Sequence, residues 1–408
     1  MTAAATAAEP SPSGGGDPDG KPMKGFVRRF VEGDLGELRV IIVLAVIWAI
    51  FQSQEDRFLS ATNLTNLLLQ ITAIGLVSVG VVLVLLLGEI DLSVGAVSGL
   101  CAAVMGVLSV KHGWSPYLAI AAAVLVGTAI GMFQGSVFTQ FGVPSFVVTL
   151  AGLLAWQGAQ LEVLGTTGTI NLTDPKITGL TSTFYDGATG WAIAIVGFAV
   201  YAAVALAGWR RKMAAGLRAQ PLGALLLRLA LAAVAIVVAV AVLNDDRGVP
   251  LAALIFVGFV IFFQFVTTKT TFGRHIYAVG GNAEAARRAG IKVRRIRVVV
   301  FMIASSMAAV GGIMAASRLL AVNQSSGAGD FLLLAIAGPV IAGTSLFGGR
   351  GSVWTALLGA LVIGSISNGM DLLALESSVK FMVTGAVLLI AVVIDALARN
   401  RRQATGRV

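Results

Sequence analysis

Two carboxylates separated by a single residue, Glu89 and Asp91, stand where one apolar run ends and the next begins, a pair that could hold an ion or relay a proton. An ionised carboxylate at mid-bilayer depth costs about 2.5–3.5 kcal/mol or more, so acids among apolar runs belong near an interface or in a polar gap. Asp91 precedes Leu92, Ser93 and Val94 and is placed to N-cap the helix that follows. Glu89 is free to meet a basic residue from a loop. A proton-relay role would suit a self-powered transporter; the capping and structural role is preferred.

Other chemistry-bearing residues are sparse. Cys101 is the one cysteine, set in an apolar stretch, so no disulfide or cysteine metal site can be built within the chain, and a small packed residue is expected. His112 and His275 fall far apart, in loops flanking helices, and read as surface residues. The glycine-rich Gly348, Gly349, Arg350, Gly351, Ser352 lacks the Lys-Ser/Thr that a phosphate-cradling loop needs, and G-x-x-x-x-G-K-[ST] occurs nowhere, so this segment reads as a tight cytoplasmic turn. No catalytic residues and no metal ligands are assigned.

A longer segment carries a mechanical signal: Gly280, Gly281, Asn282, Ala283, Glu284, Ala285, Ala286, Arg287, Arg288, Ala289, Gly290, Ile291. Asn282 is a good N-cap, Glu284 suits the positive end of a helix dipole, Ala and Arg favour helix, and Gly290 can stop it in the left-handed conformation. A helix of about seven residues, roughly 10 Å long, follows outside the bilayer. It is too short to be stable alone. It either docks on a partner surface or lies on lipid headgroups.

The elements that must position these groups are membrane helices. Of 408 residues 57% are hydrophobic and 12% charged, and mean hydropathy is +0.90, which excludes a soluble enzyme, a coiled coil and a disordered scaffold. Runs of about 20 apolar residues fall at 38–52, 67–87, 92–110, 117–138, 144–162, 190–208, 222–243, 249–267, 297–317, 331–347, 353–370 and 379–397, the first and tenth short enough to be tilted, broken or re-entrant. The expected fold is an all-α polytopic bundle of about twelve transmembrane helices. Glycines at small-residue spacing, Gly127 with Gly131 and Gly338 with Gly343, predict closely approaching helix backbones.

The basic residues settle the expected orientation. Net charge is +9, yet the cations lie in short loops rather than on one face, which is a topology signal and not a nucleic-acid one. With the N-terminus inside, cytoplasmic segments hold 22 of the 29 Lys and Arg residues, while external loops hold only Arg57, Lys111, Lys176, Arg247, Arg318 and Lys380, and Arg228 lies within a span. Both termini are therefore expected inside. Residues 1–20 read as a disordered tail, 21–39 as a basic interfacial segment suited to anionic lipid, 40–398 as the transmembrane domain with a cytoplasmic loop at 268–297, and 399–408 as a basic cytoplasmic tail.

The segment Asn282 to Ile291 resembles the EAA-type coupling loop of ABC-importer permeases, in particular the branch that imports ribose, xylose, galactose and related monosaccharides. Three further stretches are similar to that branch: Gly88-Glu89-Ile90-Asp91-Leu92-Ser93-Val94-Gly95, Gln134-Gly135 with Val143-Pro144-Ser145-Phe146-Val147-Val148-Thr149-Leu150, and Gly343-Thr344-Ser345-Leu346-Phe347-Gly348-Gly349-Arg350-Gly351-Ser352. The resemblance spans about residues 60 to 398. It implies a dimer in a cell membrane, cytoplasmic ATPase subunits that bind ATP and Mg, and an extracytoplasmic sugar-binding protein; the coupling residues would be Gly281, Asn282, Glu284, Ala285, Ala286, Arg287, Gly290 and Ile291. Where many members carry E-L-D this chain has Leu332-Leu333-Leu334, with Asp330 nearby, and the extra pair of spans at 190–248 together with Gln134-Gly135 looks most like the xylose-type permease.

Sugar hydroxyls need hydrogen-bonding partners and an aromatic face. Gln70, Ser78, Gln134, Trp156, Gln157, Asn323 and Asn368 are the candidates along the path, although polar residues in a bundle more often bond a neighbouring helix. The expected function is monosaccharide import, D-xylose or a relative, powered by separate ATPases. The competing classes are an ion-coupled secondary transporter using Glu89 and Asp91, and a non-transporting scaffold.

Overall fold

The computed structural model describes residues 37–217 and 220–404, with backbone alone for 37, 38, 388, 391, 394, 395 and 397–404. The tail expected at 1–20, most of the interfacial segment at 21–39 and residues 405–408 lie outside the described residues.

Each of the twelve expected spans coincides with a helix. In chain order these are α1 (Glu37–Gln54), α2 (Ala61–Leu86), α3 (Val94–Gly106, extended by a π turn over Val107–Lys111), α4 (Pro116–Phe141), α5 (Ser145–Leu164), then a short α6 (Pro175–Ser182) and α7 (Gly187–Ala214), α8 (Leu222–Asn244) and α9 (Leu251–Lys269). After these come α10 (Thr271–Gly281), α11 (Ala283–Arg288), α12 (Val293–Leu319), α13 (Phe331–Ile341), α14 (Trp354–Leu372) and α15 (Ser377–Ala404). Among the described residues nine helices are long and apolar enough to cross a membrane, while the apolar parts of α1 and α13 are shorter. Residues 399–404, expected in a tail, continue α15.

Local chemistry explains the boundaries. Ser60 caps α2 by accepting from Asn63 N, which starts that helix six residues before the expected span. Pro116 opens α4 and Gly142, at φ 69°, closes it. Pro339 lies inside α13, and the chain turns away after Ile341.

The centre is α12, packed against α2, α3 and α4. Close approach is made by small residues. A side chain at Gly80 would meet the Ala304 backbone, at Gly131 the Phe301 carbonyl, and at Gly312 the Ser98 carbonyl, so the helix surfaces touch backbone to backbone as bilayer packing favours. The expected pairing of Gly127 with Gly131 is met in this interface. Gly343 is different: its φ of 107° places it in the turn after α13, where only Gly338 makes the helix contact, against Gly359.

Two minimal ladders tie loops together at one end of the bundle. Strand β1 (Thr169–Asn171) pairs antiparallel with β4 (Ala321–Asn323), and β2 (Phe184–Tyr185) with β3 (Val249–Pro250). At this same end Arg247 donates to Asn66 and Lys111 to the Leu164 carbonyl. These are segments that the charge count groups as external. The opposite end gathers the turn after α2, the helices α10 and α11, and the turn between α13 and α14.

Candidate functional site

The apolar run of α2 ends on the left-handed Gly88, at φ 74°. The chain then runs through Glu89, Ile90 and Asp91 before α3 begins at Val94. The expected N-cap by Asp91 does not form. Asp91 Oδ1 accepts from Ser93 N at 2.8 Å and from Ser93 Oγ at 2.6 Å, a local turn reaching two residues ahead, and Ser93 occupies the cap position with no side-chain capping bond. The hydroxyl is occupied with Asp91 and also lies 3.0 Å from Gln134 Oε1. Burial in this turn pushes the Asp91 carboxyl up, and the Ser93 hydrogen bonds oppose that. The turn is held from α5, where Thr149 Oγ1 accepts from Leu92 N at 3.1 Å and Ser145 Oγ from Ile90 N at 3.4 Å.

Glu89 meets the basic partner expected of it. Its Oε1 lies 2.8 Å from Arg297 Nη2, with side chains only 15% and 29% exposed. Arg297, one turn into α12, also stands over the Phe138 ring of α4.

The loop at 268–297 is more ordered than one short helix. Helix α9 runs on to Lys269, and α10 occupies Thr271–Gly281, capped by Thr270 Oγ1 accepting from Gly273 N. His275, expected in a loop, is a half-buried residue of α10. The signal was present: Phe272, Ile276 and Val279 recur at helical spacing and pack on the core. Helix α11 matches its expected design. Asn282 Oδ1 accepts from Ala285 N at 2.9 Å, Gly290 adopts φ 85°, and Glu284 pairs with Arg287 at 2.7 Å and Arg288 at 3.1 Å. Ala286 is buried and anchors the helix, Ile291 N donates to the Ala286 carbonyl, and Asn282, Glu284, Ala285, Arg287 and Gly290 are exposed. A six-residue helix is thus presented to solvent, footed on the core by Ala286 and, half-buried, Ala283, with Ile291 packed just beyond it.

Three glycine-bearing segments meet beneath it. A side chain at Gly280 would collide with the Leu86 carbonyl, whereas one at Gly281 would point into open space. Gly348, at φ 83°, fits between Gly280 O and Gly88 N, and Gly349 N donates to Leu86 O at 2.9 Å. Tyr277 Oη donates to Gly351 O at 2.9 Å, and Gln264 Oε1 of α9 accepts from Val353 N at 3.0 Å. Burial raises the Tyr277 phenol, with a hydrogen bond to Thr267 opposing. The glycine-rich turn is therefore more than a loop: it wedges between α2 and α10. Gly280, Tyr277, Gln264 and Arg297 escape a sequence reading because their roles exist only through partners 68 to 208 positions away.

The path candidates separate. Gln134 is buried, and the polar groups of Gln134 and Trp156 crowd round Gly152, where any side chain would strike the Gln134 amide. Asp91 Oδ2, Gln134 Nε2 and Trp156 Nε1 are buried, with no hydrogen-bond partner among the described residues. Gln157 and Gln70 are half-buried. Ser78 donates to the Ala335 carbonyl, and Asn368 exchanges hydrogen bonds with Asn63 at 2.8 and 3.1 Å, which makes both of them helix-to-helix contacts. Asn323 is not within a span: it is exposed on β4, its side chain accepting from Ser325 N and its carbonyl from Gln160 Nε2.

Residues 63–392 match the model of the family described as branched-chain amino acid transport system / permease component. The chain is 38% identical over 368 residues to the xylose transport system permease protein XylH of Escherichia coli K12, covering 89% of this chain and 93% of that one. It is 35% identical over 366 residues to XylH of Haemophilus influenzae, covering 89% and 96%. It is 30% identical over 376 residues to the ribose import permease protein RbsC of Escherichia coli K12, covering 92% and 97%. No solved structure matches it. A polytopic helical bundle, a solvated helix standing on a junction of glycines and a family match over most of the length together place the chain in the permease-component family of branched-chain amino acid transport systems.

Proposed function

We propose that this chain is the membrane subunit of an ATP-driven importer that carries D-xylose, or a closely related pentose or hexose, into the cytoplasm. The observation that carries the reading is the 38% identity to a xylose permease across 89% of the chain. The substrate named by the relatives suits neutral polyhydroxyl chemistry, and the buried groups of Asp91, Gln134 and Trp156 offer an acceptor, an amide and an indole donor of the kind hydroxyls require.

In this reading the chain is a multi-pass protein of the plasma membrane and breaks no bond in its cargo. Two cytoplasmic ATPases hold ATP and Mg, an extracytoplasmic binding protein delivers the sugar, and two copies of the chain frame the path in contact with membrane lipid. About twelve crossings put both termini in the cytoplasm, with the glycine junction on that side. Closure of the ATPases draws in the exposed α11 helices through Glu284, Ala285, Arg287 and their neighbours. The bundle converts that displacement into opening on the far side, the alternating access that a binding change can drive.

The test is uptake of labelled D-xylose in vesicles holding the permease, its ATPase and its binding protein. Uptake that needs ATP and the ATPase and ignores a proton uncoupler supports the proposal; uptake by the permease alone that collapses with the uncoupler overturns it in favour of ion coupling through Glu89 and Asp91.

A further inference from the structure

Movement of α11 needs a route to the interior of the bundle. The contacts at the junction differ in what they can transmit. Gly280, Gly348 and Gly88 touch by close backbone approach, which resists compression but carries little pull. One backbone hydrogen bond, Gly349 N to Leu86 O, links the α13–α14 turn to the end of α2. Neither joins α12, the helix that leaves the coupling loop, to the break between α2 and α3.

The ion pair of Glu89 with Arg297 makes that join. It is directional and charge-assisted, at 2.8 Å, and mostly shielded from water. Arg297 begins four residues into α12, directly after α11 and its Gly290 stop. Glu89 follows the left-handed Gly88, and two residues later Asp91 starts the hydrogen-bond chain to Ser93 and Gln134. A tilt of the loop that pulls Arg297 therefore pulls on the non-helical segment that joins α2 to α3, and so on the polar cluster beside Gln134 and Trp156.

We propose that the ion pair of Glu89 with Arg297 is the tie through which the coupling loop moves the break between α2 and α3, making both of them positioning residues for transport; this rests on the importer reading above. The experiment uses the full complex of permease, ATPase and binding protein in proteoliposomes, with labelled D-xylose as probe and ATP hydrolysis measured alongside. Glu89→Gln and Arg297→Gln each keep the ATPase bound and hydrolysing, while sugar carried per ATP falls by about tenfold, within the usual range of coupling between sites. The exchanged pair, Glu89→Arg with Arg297→Glu, recovers the ratio to within about threefold of the parent, as a direct pairwise interaction requires. Single variants whose ratio stays at the parent value, or an exchanged pair no better than either single one, overturn the tie. If the parent complex shows no ATP-dependent uptake at all, the importer reading falls instead, so the two failures are distinguishable.

Discussion

Helices α2 and α12 at the centre and the pair α7 and α8 at the edge are built from nearly the same material and behave in opposite ways. Mean hydropathy over the apolar stretch is 2.5 and 2.2 in the first two, 2.1 and 2.8 in the second. Yet 83% and 61% of those stretches are buried in the centre against 6% and 17% at the edge. The difference lies in the glycines. Gly80 in α2 and Gly311 and Gly312 in α12 let neighbouring backbones touch, whereas Gly197 and Gly208 in α7 and Gly223 in α8 have open space where a side chain would stand. In a bilayer, apolarity brings a helix into the membrane and surface shape decides what it packs against. Ile195, Val196, Val200 and Val204 of α7 are each more than half exposed.

The sharpest attack on this contrast is to fill the central seam. Gly312→Leu forces a side chain into the Ser98 carbonyl and is expected to destabilise by about 3 kcal/mol or more, seen as loss of a monodisperse detergent-solubilised protein, while Gly197→Leu in α7 leaves the elution profile unchanged. A second break separates function from stability. Gly290→Pro places a ring fixed near φ −65° where φ is 85°; ATPase co-purification and D-xylose uptake are lost, yet the thermal midpoint of the bundle, which α11 touches through the small side chains of Ala283 and Ala286, stays put. Glu284→Lys, which removes two exposed ion pairs and reverses charge at the start of α11, lowers ATPase affinity in a pull-down without altering that midpoint. Smaller still is Asn368→Ala, which opens the clasp with Asn63 and costs about 1 kcal/mol in steric-trap or denaturant unfolding, as interhelical hydrogen bonds do. Last, Val200→Ala on the exposed face of α7 changes stability by no more than about 0.5 kcal/mol; a drop like that of Gly312→Leu would mean that this face packs against protein.

Much of this was legible in the chain. Runs of apolar residues marked the twelve expected spans because a bilayer admits little else, and Asn282, Glu284 and Gly290 specified α11 because capping acts over three or four residues. The same locality misled at Asp91: two residues from Ser93, it satisfies a turn instead of a helix end. Helix α10 lies outside the apolar runs, and its period is carried by only Phe272, Ile276 and Val279 within a charged loop.

Residue types and their near neighbours determined that this is a membrane bundle, where its apolar spans lie, and that a short capped helix stands at 283–288. Local sequence alone could not choose which glycines are crowded, that Glu89 finds Arg297, or that Gly88, Gly280 and Gly348 share a single point. Those pairings join residues separated by tens to hundreds of positions, and backbone contact at that range is settled only when the helices pack.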